Sequence, residues 1–266
     1  MRTRFRTALM AGAAAVLGLA LTACGGSDSG SGQQAGQQAP ARTLTVSAAA
    51  SLTSVYQQLG TEFQNANPGT TVKFNFGGSD SLAQQVVQGA PADVLATASS
   101  KTMNTAVQAG KIQGEPVIYA TNSLQIAVAP NNPKGITDLA SLNRPGIVSV
   151  VCAPAVPCGA AAEAAEKAAG VTLTPASEEQ DVKGVLNRVQ TGNADAGLVY
   201  VTDVKSTNGK VQGVSFPQAS AQGAVQSYPI GVVTGSQNAD LAQSWISFVR
   251  GEQGTAALQQ AGFVTK

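Results

Sequence analysis

The residues best equipped for chemistry in this chain are small hydroxyl and amide donors placed where strand-like segments give way to helix-like ones. Four junctions have this character. Ala48-Ala49-Ala50-Ser51 stands between an alternating run and an amphipathic helix. Phe76-Gly77-Gly78-Ser79-Asp80-Ser81 leads into a second helix, Val156-Pro157-Cys158-Gly159 opens a third, and Gln180-Asp181-Val182 opens a fourth. The first four amides of a helix have no partner within it, and the helix dipole favours negative charge there. Several N-termini pointing at one place therefore make an anion site without Lys or Arg. An amide and a hydroxyl can both donate, which suits a fully ionised anion.

Each feature also has an ordinary explanation. Serine at a helix start is commonly a cap, a cysteine such as Cys158 is commonly structural, and Tyr200, ending Gly197-Leu198-Val199-Tyr200, has the setting of a core residue. Asp93 and Asp181, near strand and helix ends, read as caps or solvated carboxylates. The weight lies in the repetition of one donor chemistry at four places.

Composition narrows the function. The chain has no histidine, which removes Ser-His and Cys-His catalysis and most zinc sites. No other nucleophile–base pair or metal cluster stands out, so we expect no enzyme and no cofactor. There is no basic patch, so we expect no nucleic-acid partner.

These junctions need elements to hold them. Residues 43–48 read as a strand. Leu52, Val55, Tyr56, Leu59 and Phe63 then form one apolar helical stripe, broken at Asn67-Pro68-Gly69. Further strands are expected at 72–76, 94–97, 117–120, 124–129, 147–152, 197–201 and 228–233. Helices are expected at 82–88, 101–109, 159–169, around 182–189, 239–250 and 252–261. This alternation implies α/β architecture with parallel sheets between helices. Such sheets bind ligands beyond the carboxyl ends of their strands.

The N-terminus reads as an export signal. Arg2, Arg4 and Arg6 precede an apolar run over residues 8–21, which ends in Leu21-Thr22-Ala23-Cys24. That run is shorter than the roughly 20 residues that span a bilayer. The ending resembles the bacterial lipobox, in which the cysteine is acylated and becomes the mature N-terminus. We therefore expect a signal peptide over 1–23, a lipid on Cys24 and a flexible Gly/Ser/Gln tether over 24–41. Loss of the three arginines takes the 16 basic residues to 13 against 15 acidic ones, a net charge of −2. Cys152 and Cys158 then remain as an even pair in an oxidising compartment, where a disulfide is the expected state.

Taken together and in order, the motifs resemble the periplasmic molybdate-binding protein family. They are Ala49-Ala50-Ser51-Leu52, Gly78-Ser79 with Leu82-Ala83, Gly89-Ala90-Pro91-Ala92-Asp93-Val94, Val156-Pro157-Cys158-Gly159, residues 179–184, Gly197-Leu198-Val199-Tyr200, Tyr228-Pro229 and Ala261-Gly262-Phe263. The resemblance implies a two-lobed type II periplasmic-binding-protein fold. Each lobe would be a mixed, mainly parallel sheet flanked by helices, and two crossing strands would join the lobes. Lobe 1 would comprise 42–122 plus 227–266, and lobe 2 would comprise 123–226. By the same resemblance Ser51 and Ser79 contribute hydroxyls and amides, Cys158 and Val182 contribute amides, and Tyr200 contributes its hydroxyl. The amide at Cys158 commonly belongs to an alanine in that family, and a disulfide to Cys152 would hold the loop here.

The implied ligand is molybdate, with tungstate of nearly the same size. Sulfate or phosphate is the alternative within the class, and a structural surface lipoprotein is the alternative outside it. The implied partners are the permease and ATPase of an ABC importer. The protein itself is expected as a monomer anchored outside the cytoplasm.

Overall fold

The strand at the start of the described chain alternates Leu44 and Val46 inward, and parallel pairing carries it between two neighbours. The computed structural model describes residues 41–217, 221 and 223–266. The expected signal, Cys24 and the tether up to residue 40 lie outside the described residues.

The strands are β1 (Arg42–Ala49), β2 (Thr70–Gly77), β3 (Val94–Ala96), β4 (Ile112–Val128), β5 (Ser149–Cys152), β6 (Ser177–Glu179), β7 (Ala196–Tyr200), β8 (Gln212–Val214), β9 (Val225–Val233) and β10 (Val264–Thr265). The helices are α1 (Thr53–Ala66), α2 (Ser79–Val87), α3 (Ser100–Gln108), α4 (Pro157–Ala169), α5 (Val182–Gln190), α6 (Val201–Lys205), α7 (Ala239–Arg250) and α8 (Glu252–Ala261). The strand path runs β2-β1-β3-β9-β4-β7-β5-β6, with β8 and β10 pairing on β4.

Pairing is parallel in β2-β1-β3 and in β7-β5-β6, as the alternating pattern predicts. Every antiparallel pair involves β4 or β9, the long strands that run back through the middle. The two strands expected at 117–120 and 124–129 are one element, β4. Its first part pairs with β9 and its last part, from Leu124, pairs with β7. Asn122 and Ser123 interrupt the apolar run without ending the strand, because both remain in register with β9. The short elements α6, β6, β8 and β10 carry too few residues for a periodic signal and were not expected.

Three apolar clusters support this layout. One gathers β1, β3 and β9 against α1, α7 and α8, with Trp245 at its centre: the rings of Tyr56 and Phe63 meet it edge-on at 5.4 and 5.3 Å. A smaller one lies on the opposite face of the same strands, between α2 and α3. Strand β3 shows the two-sided burial directly, since Val94 and Ala96 enter the first cluster and Leu95 the second. The third cluster is built by residues 124–224 together with Ala50. Ala50 belongs to the loop after β1, so that loop packs against this cluster. The described residues belong to one compact unit.

Asp93 is neither a cap nor solvated. It is buried, accepts the Thr45 amide at 2.7 Å and the Ser236 hydroxyl at 2.5 Å, and so ties β1 to the turn after β9. Asp181 is a cap, accepting the Gly184 amide at 2.9 Å.

Candidate functional site

Each candidate donor sits where its strand or helix must end. After β1 the chain makes a single tight turn, Ala50–Leu52, before α1, and this turn buries Ser51. Gly78 is the N-cap of α2, so Ser79 is the first helical residue and its amide has no intrahelical acceptor. Pro157 opens α4, which leaves the Cys158 amide in the same condition. Asp181 caps α5 through Gly184, which leaves the Val182 amide free of the cap. Tyr200 ends β7, and its own amide donates to Asp203 Oδ2 at 3.1 Å.

These positions converge. Ser51, Ser79, Cys158, Val182 and Tyr200 all line one cavity with about 200 Å³ of free space, part of it open to solvent. No Lys or Arg lines it. Ser51 and Ser79 follow β1 and β2 and the other three stand at the ends of β5, β6 and β7, so the cavity is assembled from segments far apart in sequence.

The approach is tight at Gly78. A Cβ there would lie 2.5 Å from the Gln180 carbonyl oxygen before α5 and 2.8 Å from Asp80 Oδ1. Glycine is required here by that approach, since its φ of −61° is open to any residue. Gly159 is required for a similar reason, because a Cβ would overlap the Ala153 carbonyl behind the α4 turn. A disulfide joins Cys152, at the end of β5, to Cys158, with their Cα atoms 5.7 Å apart. It pins the first turn of α4 to the strand that leads into it.

The hydroxyls differ in their partners. Ser79 Oγ accepts the Ala98 amide at 3.0 Å, which leaves its own proton for the cavity. Ser51 Oγ lies 2.8 Å from the Tyr228 hydroxyl. The Tyr200 hydroxyl is fully buried and has no hydrogen-bond partner among the described residues. Burial holds the Tyr200 phenol well above its ordinary titration range, and the nearby Tyr228 and Asp203 push the same way. Tyr200 therefore stays a neutral hydroxyl. Asp203 is fully buried behind it, raised by desolvation and partly offset by Lys183, whose Nζ lies 2.9 Å from Oδ1.

Sequence reasoning missed Tyr228 as a neighbour of Ser51, Asn122 beneath it, the Ala98 amide, and the Asp203–Lys183 pair. Only weak signals pointed to them: a polar Asn inside an apolar β run, and an Asp three residues after Tyr200.

A family model described as bacterial extracellular solute-binding protein matches residues 44–264. The chain belongs to that family. Among relatives of this solute-binding protein, the molybdate-binding protein ModA of Mycobacterium tuberculosis is 45% identical over 249 residues, covering 94% of each chain. ModA of Escherichia coli is 31% identical over 233 residues, covering 84% of this chain and 89% of that one. In fold, the periplasmic molybdate-binding protein of Azotobacter vinelandii superposes with a TM-score of 0.71 at 20% identity, over 83% of this chain and 98% of that one. The sulfate-binding protein SubI of Mycobacterium tuberculosis superposes with a TM-score of 0.72 at 21% identity, over 84% and 86%. At such identities the two structures speak for the type II periplasmic-binding-protein fold and leave the anion open.

Proposed function

We propose that this protein captures molybdate, and tungstate with it, in the cleft between its lobes and passes it to the permease and ATPase of an ABC importer. The carrying observation is the Tyr200 hydroxyl: buried, neutral and without a protein partner, on the wall of a cavity that Ser51, Ser79, Cys158 and Val182 also line, with Asp181 engaged as the cap of α5. A buried hydroxyl left unpaired costs about 1–3 kcal/mol, and a tetrahedral oxyanion would supply its missing acceptor. In this reading Ser51 and Ser79 contribute hydroxyls and amides, Cys158 and Val182 contribute amides, and Tyr200 closes the cage. Positive charge comes from helix ends alone.

The choice among anions leans on relatives. ModA proteins match nearly the full chain, whereas a sulfate-binding protein of Synechococcus elongatus matches 61% of it at 31% identity. Size supplies the physical criterion. A cage set for the longer Mo–O bond leaves the hydrogen bonds to sulfate stretched, and such bonds weaken steeply with distance. Titration calorimetry of the mature domain tests this. Tight binding of molybdate and tungstate with weak sulfate binding is the expected result, and tight sulfate binding with none for molybdate overturns the assignment.

The same reading assigns the lobes to 42–122 plus 227–266 and to 123–226, with β4 and β9 as the crossing strands. It takes the protein as a carrier without catalysis, monomeric, processed at Cys24 and held at the membrane by its lipid. A tether over 24–41 would reach roughly 20–25 Å as a flexible coil. Mass spectrometry of the membrane fraction tests the anchor: an unacylated N-terminus at or beyond Cys24 rejects it.

A further inference from the structure

The candidate cavity has no Lys or Arg on its wall, yet two carboxylates stand close to it. Asp181 lines it, and Asp203 is fully buried behind Tyr200, whose amide it accepts at 3.1 Å. A dianion entering here would meet like charge where water screens poorly. The Asp203 charge reaches the wall itself. Burial chiefly raises the Tyr200 and Tyr228 phenols, and Asp203 pushes both further the same way. What opposes a phenolate at those oxygens opposes any anion beside them. Asp203 has a structural use nonetheless, since it fastens the Tyr200 amide at the start of α6. It also has a counter-ion: Lys183 Nζ lies 2.9 Å from its Oδ1. Lys183 follows Val182 in the first turn of α5 and donates in addition to Ser206 Oγ at 3.3 Å. Its side chain is 28% exposed and does not line the cavity.

We propose that Lys183 is the counter-charge of the anion site: from outside the cavity it cancels Asp203, so that a dianion can come to rest against Tyr200 and Val182. Asp203 holds the Tyr200 backbone in place, and Lys183 removes the repulsion that this carboxylate would otherwise exert. Lys183 thus acts through Asp203 and touches no ligand. This role rests on the reading that the cavity holds an oxyanion.

Two substitutions at the pair separate charge from mechanical linkage. Lys183→Met leaves the carboxylate uncompensated and should weaken molybdate binding about tenfold at pH 8. Asp203→Asn removes the negative charge, keeps an acceptor oxygen for the Tyr200 amide and leaves Lys183 unopposed, so it should bind molybdate more tightly than the parent. A pair that served only to tie α5 to α6 would weaken binding alike in both variants. Calorimetry of the mature protein therefore reads one ratio, the dissociation constant of Lys183→Met over that of Asp203→Asn. A ratio of about threefold or more is expected, and a smaller one overturns the proposal. Should Lys183→Met fail to fold by circular dichroism, the double variant Lys183→Met/Asp203→Asn takes its place. With the buried ion gone, its affinity should stay within about threefold of the parent, and a greater loss overturns the proposal. Failure of the underlying reading looks different. A parent that binds no molybdate takes the anion out of the cavity and the role of Lys183 with it. A parent that binds, with a ratio near one, rejects the role of Lys183 alone.

Discussion

Tyr200→Phe separates binding from folding, because the deleted atom has opposite effects on the two. The hydroxyl is buried without a protein partner. In the ligand-free protein its removal therefore breaks nothing and relieves an unpaired polar group, so stability to urea should hold or rise by up to about 1 kcal/mol. In the anion complex the same hydroxyl is expected to donate to a dianion, a bond worth about 1.5–3 kcal/mol because one partner is charged. That converts to a dissociation constant raised about 10- to 150-fold. At saturating molybdate the stabilisation conferred by ligand should shrink by the same 1.5–3 kcal/mol or so. Calorimetry gives the affinity, and urea melts with and without molybdate give the two stabilities. An affinity within twofold of the parent removes Tyr200 from the site. A loss of stability in the free variant as large as in the complex shows that the hydroxyl has a protein partner in solution, and the argument from its isolation fails.

Three further outcomes follow from the same geometry. Reduction of Cys152–Cys158, or Ala at both positions, opens a loop whose ends are six residues apart. It should cost about 2 kcal/mol in chain entropy and weaken molybdate binding by loosening the Cys158 amide; a calorimetric affinity unchanged under reductant would disconnect the bridge from the site. Gly78→Val places side-chain atoms against the Gln180 carbonyl before α5. It should lower affinity at least tenfold while leaving the unfolding midpoint of the free protein within a few degrees, and a normal affinity would mean that the two segments do not approach as described. Lys183→Met strands the buried Asp203 carboxylate and should cost about 3 kcal/mol, at the low end for an orphaned buried charge because Lys183 is itself partly open to solvent. Burial holds Asp203 above the ordinary carboxylate value, so the folded state keeps the proton longer than the unfolded chain does. Stability tied to this group is therefore greatest in acid and falls as pH rises through the raised value. The Lys183→Met deficit in urea melts should be larger at pH 7 than at pH 4, and a deficit independent of pH would reject the account.

The sequence by itself determined the local chemistry. The stripe from Leu52 to Phe63, the breaks at Asn67-Pro68-Gly69, and the caps and prolines before α2, α4 and α5 are short-range signals, and the elements formed at those places. The four donor-bearing junctions were legible for the same reason: a free amide at a helix start depends only on where the helix begins. The order of the motifs also carried the family. Which hydroxyls are free to donate was decided only by the tertiary structure. Ser79 is backed by Ala98, nineteen positions away, and Ser51 by Tyr228, 177 positions away. Asn122 interrupts an apolar β run and is buried, with its Nδ2 donating to Thr202 Oγ1 at 2.8 Å. Asp93 looked like a loop carboxylate and is a clasp between β1 and the turn after β9. Hydrogen-bond direction depends on the donors and acceptors that packing assembles around each oxygen, and no local pattern of residues encodes that. The cavity itself is of this kind, since its walls come from segments after β1, β2, β5, β6 and β7 that are far apart in sequence.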